Sequence, residues 1–186
     1  MTATTAGARG AVFIATSLDG FIARADGSLD WLEGAEAPAA DGEDYGYQAF
    51  LDSVDGLLLG RRSFDKVLSL GDWPYGDKPV IVLSSRPLAL PAHLPPAVRH
   101  AGGDPAELMR RLGREGLGRL YIDGGETIRR FLAAGLIDEL TLNRVPRLLG
   151  AGIPLFGPLA RDLCLEHQAT RSYASGLVQS RYRVLP

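Results

Sequence analysis

Little in this chain points to secretion, membranes or nucleic acid. A single cysteine, Cys164, stands among 186 residues, so no disulfide can form within the chain and a reducing compartment is expected. Positive charge is not in surplus either. Twenty Lys and Arg face 22 Asp and Glu, for a net charge of −2, which is too little to gather a phosphate backbone. Apolar runs such as AVFIA from Ala11 and VIVL from Val80 are four or five residues long, against about 20 for a membrane span. The opening residues MTATTAGARG contain no apolar stretch of signal length and read as a loose tail over 1–10. The expectation is a soluble, cytoplasmic protein.

Several chemistries are missing as well. No G-x-G-x-x-G and no G-x-x-x-x-G-K-[ST] occurs, and no G-x-S-x-G elbow suggests hydrolysis. His93, His100 and His167 are isolated and lack zinc-ligand spacing, so no metal site is expected. Cys164, within LCLEH, reads as a buried and inert strand thiol.

What remains is an ordinary globular composition, 46% hydrophobic and 23% charged, at a length expected of one domain over 11–186. The apolar run AVFIATS reads as a strand that feeds a long polar loop, SLDGFIARADGSLDW. Tyr47, Phe50, Leu51 and Val54 then recur at helical spacing, with Asp44 as a candidate N-cap. GLLLG and PVIVLSS are continuous apolar runs of strand length, as a sheet covered on both faces requires, and they bracket a helix near 63–70. AVRHA is a short strand, and GGDPAELMRRLGREG opens a helix with Asp104 at N-cap, Pro105 at N1 and a stop at Gly116. RLYID, GETIRRFLAAG and DELTLNRV continue as strand, helix and strand. Around Ser175-Gly176 the alternation predicts a C-terminal antiparallel hairpin. The sum is an α/β fold built on a mixed, mainly parallel sheet with helices on both faces.

Four predicted strands end in similar punctuation, at Gly60, Ser84, Gly102 and Gly124. In a parallel sheet those ends share one edge. Glycine admits a ligand close to the backbone, and the amides of a following helix attract anions. Such an edge suits a nucleotide pyrophosphate. Arg61, Arg62, Ser63, Ser84, Ser85 and Arg86 flank two of the ends with the guanidinium forks and hydroxyls that a phosphomonoester needs. Because 18 of the 20 basic residues are arginine, any one of them is weak evidence. Two phosphate contacts of about 1.5–3 kcal/mol each would still separate NADPH from NADH.

The motifs ATSLDGFIARADGSLDWL, LLLGRRSFDKV, VIVLSSRP, YIDGGETIRRFL and PRLLGAGIPLFG occur in an order that resembles the dihydrofolate reductase-like superfamily. The chain is most similar to the branch holding the C-terminal reductase domain of bifunctional riboflavin-biosynthesis enzymes and its stand-alone relatives. The resemblance runs from Val12 to the C-terminus. It implies an NADPH-dependent reductase that passes a hydride to a C=N or C=O bond of a small pterin- or pyrimidine-like molecule. By the same resemblance Ala15 and Ile22 flank the nicotinamide, with 17–23 as a mobile loop above it. Gly60, Arg61, Arg62 and Ser63 hold cofactor phosphates, and Leu83, Ser84, Ser85 and Arg86 surround the adenosine 2′-phosphate. Gly124, Gly125, Glu126 and Thr127 form the turn over the pyrophosphate. Glu126 departs from the basic residue common in dihydrofolate reductases.

The substrate half matches less closely. Asp30, Glu33 and Asp44 are candidate substrate-orienting acids, with Asp30 nominated as catalytic. Asp19 reads as a turn-shaping residue before Gly20. Phe21 stands where the riboflavin branch commonly carries a lysine, which argues against a phosphorylated riboflavin precursor. The resemblance also implies a homodimer, with Leu148, Leu149, Ile153, Leu155 and Phe156 as the segment to inspect. The alternative is an NADPH- or nucleotide-binding protein on the same fold without turnover.

Overall fold

A computed structural model describes residues 7–32 and 43–186. The polypeptide alternates strand and helix through most of its length. In chain order the elements are β1 (Arg9–Ser17), β2 (Phe21–Ala23), α1 (Tyr47–Asp52), β3 (Gly56–Gly60), α2 (Arg61–Ser69), β4 (Val80–Leu83) and β5 (Val98–Ala101). They continue with α3 (Pro105–Arg114), β6 (Arg119–Asp123), α4 (Gly125–Ala133), β7 (Glu139–Val145), β8 (Ile153–Pro154), β9 (Leu165–Ser172) and β10 (Val178–Val184). Eight strands form one sheet in the order β5-β4-β3-β6-β1-β7-β10-β9. From β5 to β7 all neighbours run parallel, and β10 is antiparallel to both β7 and β9.

The uninterrupted apolar runs have the physical cause inferred from sequence. Successive strand residues point to opposite faces, and both faces are covered. Leu57, Leu59, Val80, Val82 and Tyr121 face Leu51 of α1 and Phe64 of α2. Leu58, Ile81, Leu120 and Ile122 face Leu108 and Leu112 of α3 and Ile128 and Phe131 of α4. The apolar stripe of each helix sets which of its faces meets the sheet. None of the described helices is long and apolar enough to cross a membrane.

Four details differ from the sequence reading. The first strand begins at Arg9, and the Ala8 amide donates to the Met109 carbonyl, so residues 8–10 are part of the fold and not of a tail. Residues 1–6 lie outside the described part. The loop after β1 contains β2, which pairs with β8 inside the segment 146–157, two strands too short to show a period. Helix α1 has Gly46 at its N-cap; Asp44, one turn back, instead accepts from the Gly46 and Gln48 amides at 2.8 Å each. Cys164 is exposed, because the outermost strand β9 that follows it has every one of its eight residues exposed and meets no helix layer.

Leu58 lies at 0% exposure between the two halves of the parallel sheet. Leu58→Ala is expected to cost about 3 kcal/mol and, for a chain of this length, to lower Tm by about 6–12 °C, measured by thermal unfolding.

Candidate functional site

Connections leave neighbouring strands on opposite sides at the centre of the sheet. From β3 the chain turns to α2 on one face, and from β6 it turns to α4 on the other, so a crevice opens beyond the carboxyl ends of these two strands. Both helices begin there with a glycine N-cap, Gly60 and Gly124, and neither has a side-chain cap. By contrast, α3 is closed by Asp104, whose carboxylate accepts from the Ala106 and Glu107 amides at 3.0 Å. The first-turn amides of α2 and α4 are thus left for an anion.

The two helix starts are pressed together. A β-carbon on Gly60 would sit 2.6 Å from Thr127 Oγ1, and one on Gly124 would strike Ser63 Oγ. Gly124 also has φ +95°, which side chains rarely adopt. A cradle of this shape, with two hydroxyls and two rows of amides, fits a dinucleotide pyrophosphate.

Most of the residues singled out for a cofactor gather around this cradle. Gly60, Arg61, Arg62 and Ser63 lie on one side and Gly124, Gly125, Glu126 and Thr127 on the other. Ile22 reaches over from β2, so that a β-carbon on Gly125 would collide with its Cδ1. Arg61 is occupied, since its Nε donates to both Asp65 oxygens at 2.9 Å. Arg62 and Glu126 are exposed. One strand further out, Leu83 ends β4, and the Ser84 hydroxyl accepts from the Arg86 amide and donates to its carbonyl. That turn presents Ser85 and Arg86 to solvent. Ala15, on β1, packs instead at the rim of a cluster made by Trp31, Val145 and Leu177.

The segment 17–23 is fastened at several points. The Asp19 carboxylate accepts from the Ser17 hydroxyl at 2.6 Å and from the amides of Leu149 and Gly150 at 3.1 and 2.8 Å. The Ser17 hydroxyl above all, then the two amides, hold the Asp19 carboxyl below its ordinary value. Asp19 therefore ties this segment to the loop after β7, a longer reach than the turn role read from sequence. Among the described residues, no three His, Cys, Asp or Glu side chains converge to hold a metal ion.

The acids behave differently from their nomination. Asp30 is exposed and ion-paired with Arg24 at 2.6 Å, and Ser28 also donates to it. Asp44 accepts from the Gly46 and Gln48 amides at the approach to α1, and Glu33 lies outside the described residues. The enclosed carboxyl is that of Asp123, at the last position of β6, which the sequence reading passed over as a strand end. Its neighbours are aromatic. Phe13 on β1, Tyr47 and Phe50 on α1, and Tyr121 on β6 pack ring to ring with centroids 5.0–6.5 Å apart. Tyr75, from the loop after α2, completes the group beside Trp73.

Burial raises the Asp123 pKa above the ordinary aspartate value, opposed by the Gly124 amide and by Tyr121. Burial first, and Asp123 next, push Tyr47 up to about 12 and Tyr75 and Tyr121 higher still. The Tyr121 hydroxyl has one proton, and the Phe13 carbonyl claims it at 2.8 Å. The same hydroxyl approaches Asp123 Oδ1 at 3.4 Å, as the weaker branch of a shared donation. Signal for this residue existed in the sequence only as an acid immediately before Gly124-Gly125.

Comparison with known proteins agrees with this geometry. The family profile described as the RibD C-terminal domain matches residues 10–179. An uncharacterized protein of Bacillus subtilis (strain 168), YwjB, is 34% identical over 92% of this chain and 95% of its own length. A crystal structure of a Shewanella sp. PV-4 protein, assigned provisionally to riboflavin biosynthesis, superposes with a TM-score of 0.90 at 41% identity, covering 96% of this chain and 99% of that one. Dihydrofolate reductase from Enterococcus faecalis, solved with NADP(H) and the ligand RAB-propyl, shares the fold at a TM-score of 0.64 and 18% identity, over 96% and 97% of the two chains. The dihydrofolate reductase-like architecture expected from the motifs is therefore present.

A carboxyl whose pKa rises on folding binds more protons in the folded state than in the unfolded one, so stability falls as pH climbs through that interval. Asp123→Asn removes the cost of charging an enclosed group. The variant is expected to melt above the wild type at pH 7, with the gap closing below about pH 4, where the unfolded-state aspartate is itself protonated. Thermal unfolding across that range measures it.

Proposed function

The chain belongs to the RibD C-terminal domain family, and on that premise we propose that it is an NADPH-dependent reductase of a small heterocyclic molecule, acting as a cytoplasmic enzyme. When bound, NADPH supplies the hydride that reduces a C=N or C=O bond. The observation that carries the reading is the pair of glycine-capped, side-chain-free helix starts pressed together beyond β3 and β6. The E. faecalis enzyme of the same fold, solved with NADP(H), supports the choice of cofactor.

The residues of the chain divide the work. Amides at the starts of α2 and α4, with the Ser63 and Thr127 hydroxyls, hold the pyrophosphate. Arg62 and the 84–86 turn, with Arg86, hold the 2′-phosphate. Ile22 and Ala15 bound the place of the reacting ring, and the segment 17–23 keeps water from it. Asp123, whose carboxyl burial pushes up, is the proton donor to the reduced atom, and it replaces Asp30 as the candidate catalytic acid. Two copies of the chain pair in solution, covering exposed Leu148, Phe156 and the edge strand β9.

Titration calorimetry with NADPH, followed by absorbance assays with pterins, pyrimidines and quinones, tests the proposal. At 100 times its dissociation constant a true ligand adds about 2.7 kcal/mol to stability. Loss of one charged phosphate contact costs about 1.5–3 kcal/mol, so Arg62→Ala and Arg86→Ala are each expected to weaken NADPH about 10- to 100-fold while leaving NADH unchanged. Absence of any NADPH heat would refute the reading, and binding without turnover of any acceptor would favour a nucleotide-binding protein.

A further inference from the structure

A strand too short to hold its own place carries Ile22 to the crevice. β2 is three residues long and meets β8 at two positions, Phe21 with Pro154 and Ala23 with Ile153, with an irregularity between them. Side chains alternate along a strand, so a slip of one residue on β8 would exchange Ile22 for a neighbour. The register present here matters. Ile22 Cδ1 fills the space that a β-carbon on Gly125 would need, at the first residue of the helix whose amides border the crevice, whereas Phe21 lies against Gly152.

That register is pinned from outside the strand. Two residues before β2, the Asp19 carboxylate accepts the Leu149 and Gly150 amides at 3.1 and 2.8 Å, from the segment that leads into β8. Among the described residues it is the one side chain of 17–23 that hydrogen-bonds to 146–157. Asp19 Oδ1 also takes the Ser17 hydroxyl proton at 2.6 Å, and the Ser17 oxygen in turn accepts the Phe21 amide at 2.9 Å. Donors therefore meet both carboxylate oxygens, and the position requires a group that only accepts. An asparagine would turn its NH2 against one of them.

Backbone bonds cross the same gap, from the Leu18 amide to the Arg147 carbonyl at 2.8 Å and from the Leu155 amide to the Gly20 carbonyl at 3.0 Å. Nearly every residue carries the same backbone groups, so such bonds do not by themselves choose a register. A single carboxylate does. On the far side, Arg129 of α4 donates to the Pro154 carbonyl at 2.5 Å. β8 is thus fixed to α4 by Arg129, β2 is fixed to β8 by Asp19, and Ile22 falls on Gly125 as the result.

Taking the reductase reading above as its basis, we infer that Asp19 is a positioning residue for the cofactor: by keeping β2 in register on β8 it sets Ile22 against the nicotinamide ring, without touching cofactor or substrate itself. The adenosine half, assigned above to Arg62 and the 84–86 turn, lies beyond its influence.

Calorimetric titration of the full chain compares NADPH with 2′-phosphoadenosine 5′-diphosphoribose, which lacks the nicotinamide. Asp19→Asn is expected to weaken NADPH about tenfold, the loss that follows when the binding register is populated about one time in ten, and to change the truncated ligand by less than about twofold. Ile22→Ala is expected to give a similar split. In the double variant the two losses should not add, because Asp19 acts through Ile22. Equal weakening of both ligands, no weakening of NADPH, additive losses, or an Asp19→Asn chain that does not fold overturns the inference. A wild type that binds neither ligand is a separate result, and it removes the reductase reading together with this one.

Discussion

Everything in this molecule follows from the need to bury a parallel sheet on both sides at once. Leu57 and Leu59 must be covered by one pair of helices, and Leu58 between them by another. The first two helices therefore lie on one face and the last two on the other, and β6 enters between strands formed earlier, β3 and β1. That insertion sets the helix after β3 and the helix after β6 on opposite faces. A gap at their shared end is unavoidable, and the sequence fills it with glycines instead of caps.

The glycine-capped side of this gap was legible in the sequence because its features are local. Gly60-Arg61-Arg62-Ser63 and Gly124-Gly125-Glu126-Thr127 each sit directly at a strand-to-helix junction, so a short motif holds both the backbone conformation and the donors. What the motifs did not hold was the distance between them. That Thr127 and Ser63 abut the opposite glycine depends on strand order, which no single stretch encodes.

The aromatic side around Asp123 was much less legible, for the complementary reason. Phe13, Tyr47 and Tyr75 come from three separate places in the chain and Tyr121 and Asp123 from a fourth, β6, and each alone looks like core packing or a strand end. Asp30 drew attention because it follows a recognisable motif, yet it is exposed and committed to Arg24. Asp123 was hidden by its position, since an acid that closes a buried strand is indistinguishable in one dimension from an acid that starts a loop. Similarly, β2 and β8 are too short for any periodicity, and the exposed strand β9 shows that alternation alone does not prove a covered face.

The pairing of β2 with β8, together with the grip of Asp19 on the Leu149 and Gly150 amides, joins segments more than a hundred residues apart in sequence. The Leu155 amide adds a bond to the Gly20 carbonyl, and the Leu18 amide one to the Arg147 carbonyl. Neither segment can swing aside alone without tearing this seam. The two segments thus make one continuous rim, and a substitution that removes the Asp19 carboxylate loosens the anchorage of both leaves at once.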